Sequence, residues 1–500
     1  MSIRAALVEQ TAKTKGRTDA DIRRLIAESE LELASLECKC AEITLKSIEC
    51  EAPLASSSLF EQRDRERITA AVLRHLVAPV RSLPVELLAE IFSLTIRDKE
   101  ILFSARYKHF QDAYRVSHVC SEWQQITLCT PQLWTGTVAV TVEEAGADAD
   151  GLKAWLARSD PLPVPVVLAG VWNLEAVHLP PVLEELLHVA PRWGILYLDG
   201  FLPPIFYQRL ADCTLDSLEA ANLVPLYSHD ITNAISSLGV SPRLRKLDVN
   251  AAPSLRMPWA QLTELALTYG SASVSLDILA QCTNLVKLTL HADLLDDTGT
   301  DVTLPYLRVL RLTLRSERQT QLSPFLDFLA TPALETCSIS FISESISWTQ
   351  AAFTAFLLRS PNITHLQLLW CPLSSNDLIA ALVHATSLTH LELTGCHSLD
   401  DALPLALHYK VGTPPLVPLL HDFSLLYMSE ALTEALVGGM LASRWRTDDE
   451  LASSPIPLPV ARWSHVVLTT AHTISFSQQF LDAMKELERQ GLPVEVPDGH

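Results

Sequence analysis

Apolar positions in this chain recur first with the period of helices and then with the period of strands. Residues 1–18 are polar and basic without periodicity and are expected to be flexible. From Asp19 onward, Ile22, Leu36 and Ile43 fall on one seven-residue frame with Ser29 in the remaining slot. Ile26, Leu33, Cys40 and Ser47 occupy a second frame, four residues on. Two interleaved frames make a seam of coiled-coil type. It lasts only about four heptads and its two serines weaken it, so the helix is expected to fold back on the next one. Pro53 and Ser56 to Ser58 break the pattern, and Leu59 to Leu76 resumes it through Ile68, Val72 and Leu76. Residues 19–79 read as a helical lead-in.

Pro79 stops this helix, and a new one is predicted to open with Pro84, whose missing N–H costs nothing in a first turn. Leu87, Ile91 and Leu94 lie along it in one stripe at helical spacing. Tyr114 to Leu128 is amphipathic in the same way through Val116, Val119, Cys120, Trp123 and Ile126, and ends at Thr130-Pro131, ahead of Leu133-Trp134. Residues 80–138 therefore form a small helical module, too short to supply the core of the whole chain.

The texture then changes. Over residues 139–500 a leucine-x-x-leucine-x-leucine pattern returns, as Leu244-Leu247-Val249, Leu262-Leu265-Leu267, Leu285-Leu288-Leu290 and Leu307-Leu310-Leu312. It continues as Leu334-Cys337-Ile339, Ile363-Leu366-Leu368 and Leu388-Leu391-Leu393. Weaker copies are Trp193-Leu196-Leu198, Leu215-Leu218-Ala220, Leu420-Phe423-Leu425 and Trp463-Val466-Leu468. The clear copies are 18 to 29 residues apart, the range of leucine-rich repeats. Ser323 to Leu329, Thr349 to Leu358 and Asn376 to His384 have helical patterns and fill gaps between copies. A strand plus a helix cannot bury its apolar face alone, so the units are expected to stack into a solenoid. The fold class predicted is mixed α/β: a helical hairpin and a three-helix module, followed by an irregular leucine-rich-repeat solenoid.

Composition narrows the function. Hydrophobic residues make up 48% of the chain and charged residues 19%, which excludes wholesale disorder. A formal net charge of −20 sets the molecule as a whole against nucleic-acid backbones and anionic lipid. The longest uncharged stretch, Trp123 to Val142, is broken by Pro131 and Gly136 and does not make a spanning helix. With no apolar run in the first twenty residues and ten cysteines lacking any C-x-x-C pair, a cytoplasmic or nuclear protein with reduced thiols is expected.

No nucleotide-binding, metallohydrolase or nucleophile-elbow motif is present, and no cofactor is expected. His390, Cys396 and His397 lie close in sequence without a fourth ligand. Cys371 and Cys396 each follow the last leucine of a repeat by three residues, where a small buried side chain suits the turn, so no metal is expected. Asp400 and Asp401 fit the start of a helix, where its dipole favours them.

One resemblance ties these pieces together. Leu83-Pro84-x-Glu86-Leu87-Leu88-x-x-Ile91-Phe92, then Val116-Ser117-x-Val119-Cys120-x-x-Trp123, closing on Leu133-Trp134, resembles an F-box. Leu152-x-x-Trp155-Leu156-x-Arg158-Ser159, the proline-rich Pro161 to Val167 and Pro191-Arg192-Trp193 are similar to tracts of the F-box-like repeat proteins of mushroom-forming fungi. The stretch from Arg97 to Tyr114 departs from the family by being longer and more basic than its usual connection. The resemblance implies a three-helix box docking on a Skp-type adaptor, which joins a cullin and a ubiquitin-conjugating enzyme. Leu83, Pro84, Leu87, Ile91, Val119 and Trp123 would then face the adaptor or support the face, Trp123 having an alternative reading as core of the module. The chain would be a non-catalytic substrate receptor, a monomer within its complex, with an unknown protein substrate; a ligase-independent binding scaffold is the alternative.

Strand geometry supplies a candidate substrate face. Where the leucines point inward, the residues between them project to the other side of the sheet. These include Lys246, Lys287, Arg311, His365, Gln367 and Glu392; the three cations are either ordinary solvated strand positions or a local basic stripe suited to an acidic or phosphorylated segment of a partner.

Overall fold

The computed structural model describes residues 3–47, 56–96, 108–141, 149–171, 178–223, 238–250, 256–293, 301–315, 320–321, 326–342, 346–447, 459–470 and 475–496. The chain divides into two compact units, Met1–Leu133 and Trp134–His500. The first begins with helices α1 (Ile3–Thr14), α2 (Asp19–Ser47) and α3 (Ser56–Leu76), and both α1 and α2 pack on α3. Helix α1 corrects the expectation of a flexible start. Its buried positions are Ala6, Gln10 and Thr14, a stripe at four-residue spacing made of small and polar side chains, which a search for hydrophobic periodicity passes over. Thr18 and Asp21 then open α2 by exchanging hydrogen bonds, Asp21 N–H to Thr18 Oγ1 at 3.3 Å and Thr18 N–H to Asp21 Oδ2 at 3.1 Å.

Ile22, Leu36 and Cys40 of the predicted seam are buried, and so is Ser29. Ser29 donates its hydroxyl proton to Glu66 of α3, and Arg74 of α3 pairs with Glu30 of α2. The serine that weakens the seam as an apolar pattern thus fixes one helix against the other. Pro53 and the seam position Ser47 fall outside the described residues or side chains.

After a short 3₁₀ turn at Pro79–Ser82 come α4 (Val85–Ile96), α5 (Lys108–Ser117) and α6 (Ser121–Leu128), which pack on one another. The Pro84 carbonyl accepts from Leu87 and Leu88 N–H, so the proline caps α4 from just outside its first turn. Leu88, Phe92 and Ile96 turn inward. Cys120 caps α6, its sulfur accepting from Trp123 N–H at 3.5 Å. Of the long basic connection, residues 97–107 lie outside the described set.

The second unit is built on a fourteen-stranded sheet, parallel throughout, whose strand order follows the chain from Val138–Thr141 to Val494–Glu495. It is a leucine-rich-repeat-like architecture. All three apolar positions of each of the seven clear copies are at most 2% exposed, and each strand starts two residues after the first of them. One weak copy is corrected. The buried triplet is Leu218-Ala221-Leu223, with Ala221 in register between Leu196 and Leu247, and not Leu215-Leu218-Ala220. Alanine at the middle position hides the pattern. The expected helices at 349–358 and 376–384 are Gln350–Arg359 and Ser375–Leu382; the piece at 323–329 lies partly outside the described residues. Cys371 and Cys396 are buried, each thiol donating to a carbonyl of the preceding strand, Ile339 and Leu368, at 3.5 Å.

The tracts that resemble the fungal family meet at one arginine. Arg192 donates to the carbonyls of Leu156 and Leu162 and to Ser159 Oγ at 2.7–3.0 Å, and pairs with Asp160 at 3.2 Å. Trp155 and Trp193 are buried to either side in sequence, and Trp193 Nε1–H donates to Leu186 O. The guanidinium reaches one carbonyl in the last turn of the helix Ala149–Arg158, that of Leu156, and fixes the loop that feeds the strand Val164–Val171.

Candidate functional site

Helix α4 is apolar on two faces. With Leu88, Phe92 and Ile96 spent on packing, the opposite stripe of Leu87, Ile91 and Leu94 stands 52, 42 and 62% exposed. Four-then-three spacing puts these side chains on one face about 60° wide. Val85 at the start of the helix and Val119 in the turn between α5 and α6 are also more than half exposed, Pro84 is exposed, and Leu83 is half-buried. Trp123 belongs to both descriptions. It is half-buried, with its ring 4.7 Å from that of Phe92, so it backs the helix from within. Five of the six residues singled out by the box motif are thus wholly or partly available to a partner and the sixth is a support. Val85 and Leu94 extend the exposed set. Leu94 was legible as the third residue of the stripe, whereas nothing in the spacing marks Val85. A stripe of exposed leucine and isoleucine side chains along one helix face is the kind of surface that proteins keep for partners.

The parallel register arranges the sheet's non-core face in rows. One row runs Lys246, Glu264, Lys287, Val309, Thr336, His365, His390, Asp422 and His465. Lys246 and Lys287 flank Glu264 and share it, at 2.7 and 3.9 Å. The His365 and His390 rings stack at 3.8 Å, and burial, then the neighbouring His365, holds the His390 pKa below its ordinary value against the pull of Asp422. A second row runs Asn222, Asp248, Ala266, Thr289, Arg311, Ser338, Gln367 and Glu392. Asn222 donates to Asp248 Oδ2 at 2.9 Å, while burial pushes the Asp248 carboxyl up to about 6. Gln367 donates to Glu392 at 3.0 Å.

The six predicted face residues therefore occupy three places. Lys246 and Lys287 sit together around a shared carboxylate. Arg311 lies in the other row between Thr289 and Ser338, and makes no ion pair with a described residue. His365, Gln367 and Glu392 lie on later strands. The continuous stripe of three cations is not what the sheet presents, because Glu264 sits between two of them and the third is in a different row. Sequence reading singled out the charges on the strands and passed over Arg245 and Arg308, at the strand entrances. Those positions fall outside the leucine pattern's alternation.

Among the described residues, no helix is long and apolar enough to cross a membrane, and no group of three or more His, Cys, Asp or Glu side chains is placed to hold a metal ion. His390 projects from the sheet face while Cys396 is buried on Leu368 O, so the two do not converge.

Comparison with known proteins bears on the first surface. No curated protein matches the sequence. Among solved structures, the crystal structure of the Rad7 and Elc1 complex in yeast is similar at a TM-score of 0.32 and 13% identity, over 90% of this chain and 99% of that one. A family model described as F-box-like matches residues 80–137, which span the 3₁₀ turn and α4 to α6. Residues 80–137 of this chain are an F-box-like domain, and a long parallel sheet of leucine-rich-repeat type follows it.

Proposed function

We propose that the chain is the substrate-recognition subunit of a Skp–cullin–F-box type of ubiquitin ligase, in the cytoplasm or nucleus. The F-box-like domain docks a Skp-type adaptor, and the repeat sheet binds the protein to be modified. The observation that carries this reading is the exposed stripe Leu87–Ile91–Leu94 on the first helix of the domain, which its own packing leaves uncovered. The chain does no bond chemistry in this scheme. It holds a substrate lysine near the conjugating enzyme and so raises its effective concentration there. The alternative, a ligase-independent scaffold, leaves that stripe without a purpose.

The test is capture of a Skp-type adaptor by the full chain and by the variant Leu87→Asp/Ile91→Asp. Both positions are exposed, so circular dichroism should be unchanged. A charge at the centre of an apolar interface costs at least as much as truncating a hot-spot residue, about 2–4 kcal/mol, or roughly 30- to 1,000-fold in affinity. Equal adaptor capture by the two proteins would refute the assignment, and no capture by the wild type would favour the scaffold.

A further inference from the structure

At the edge where the strands begin, a groove of about 540 Å³ runs over the second unit between Arg245 and Arg308. Thr263 and Val286 form its floor, with Tyr306, which is 59% exposed, and Asn284 on its walls. The floor is rigid. The carbonyls of Arg245, Thr263 and Val286 each accept two N–H groups from the next strand's entry, which locks the residues into one row. The Arg245 guanidinium is held from behind, one nitrogen donating to the carbonyls of Leu244 and Pro242 at 3.1 and 3.4 Å. Arg308 has an exposed ion pair with Glu335 at 3.6 Å, on the side away from the groove's other arginine. On the sheet face beside it, Glu264 lies between two cations and pairs with both, Lys246 at 2.7 Å and Lys287 at 3.9 Å, whereas none of the described residues lining the groove between Arg245 and Arg308 is acidic. Residues 238–315 contain eight Lys and Arg against seven Asp and Glu, in a chain whose formal charge is −20.

We infer that this groove binds an extended peptide segment of the substrate that carries two acidic groups, carboxylates or phosphates, one for each arginine. The inference rests on the reading of the repeat sheet as a substrate-binding domain, and adds the chemistry of the segment and its place. The two arginines are three strands apart in the row, about 14 Å at the usual interstrand spacing, and an extended peptide covers that in about four residues. Guanidinium forks recognise carboxylates and phosphates through paired, charge-assisted hydrogen bonds. The negative field of the whole molecule opposes an acidic ligand elsewhere, so binding is local to the groove and weakens with salt.

The experiment is fluorescence anisotropy of the full chain with three labelled Ser/Ala-based peptides: one with two glutamates at that spacing, one with two phosphoserines, and one with two glutamines. The phosphoserine peptide, the glutamate peptide or both should bind and the glutamine peptide should not; the tighter of the first two identifies the natural group. Arg245→Gln and Arg308→Gln should each weaken binding about tenfold, as loss of a charge-assisted hydrogen bond does, and the double variant should bind no better than the glutamine peptide. Arg311→Gln should bind like the wild type. Equal binding of all three peptides, no binding of either acidic one, or a loss seen with Arg311→Gln but not with the groove variants overturns the inference. Adaptor capture measured on the same preparations shows separately whether the ligase reading stands.

Discussion

Asp248 is the residue where position and charge are most at odds. Its carboxyl titrates at about 6 in place of 3.8 because burial disfavours the anion. Between those two values the folded chain keeps a proton that the unfolded chain has released. The group therefore favours folding fully below pH 3.8, and that contribution is lost as pH rises through about 6. Asparagine would still accept the Asn222 hydrogen bond without a charge to desolvate. The Asp248→Asn variant should accordingly be more stable than wild type at pH 7, with the difference vanishing toward pH 4; denaturant melts across that range measure it, and a constant difference would show that the carboxylate is not the cause. Arg192 makes the opposite case. Its burial lowers its pKa, with Asp160 acting against that, yet every contact it makes is used. Arg192→Lys should cost about 2–4 kcal/mol in urea unfolding, since the single nitrogen of an ammonium cannot reach the four acceptors that the three guanidinium nitrogens serve.

Among the elements, α4 separates folding from recognition. Phe92→Ala should destabilise the first unit by about 3–5 kcal/mol, because it removes a buried ring and the support of Trp123, while Leu94→Ala on the opposite face should change stability by less than about 0.5 kcal/mol. Thermal unfolding of the two variants checks the pair, and similar losses would mean that the outer stripe is packed after all. The elements also show what was legible. Leucine at three fixed positions is a signal that survives substitution by other sizeable apolar residues, so the clear repeats could be read from sequence, including Leu334-Cys337-Ile339 with its cysteine and isoleucine. Ala221 took too much apolar area out of its copy, and the apparent triplet slid by three residues to Leu215. Helix α1 was invisible for a related reason, since it docks through Ala6, Gln10 and Thr14, which bury little apolar area. The helices of the box were legible because their apolar residues are spaced for a helix, and the box itself through its resemblance to a known motif. That one stripe faces inward and the other outward needed coordinates, as periodicity does not say which face has a partner.

For the whole molecule, the sheet's register matters more than any single strand. The rows on its open face bring together residues tens of positions apart, so a reading strand by strand can find the charges but not which of them neutralise one another. Glu264 is the example, lying between two lysines that are 41 positions apart. Its removal should release both. In the Arg245→Gln/Arg308→Gln background, Glu264→Gln is expected to create salt-sensitive binding of an acidic peptide on the sheet face that the glutamate otherwise prevents, measured by anisotropy at two ionic strengths. Unchanged binding would indicate that the lysines are too well solvated to matter.

The strand order has a consequence for how the molecule is made. Every strand of the large sheet lies beside its predecessor in the chain, and none waits for a partner from further along. As the polypeptide leaves the ribosome, each new strand therefore meets an edge already in place, and the sheet can grow by one unit at a time in the direction of synthesis. Apart from the short first strand, only the advancing edge is open at any moment, and it is closed by the next stretch of the same chain. The finished edges, Val138–Thr141 and Val494–Glu495, are four and two residues long, leaving little for a second molecule to extend.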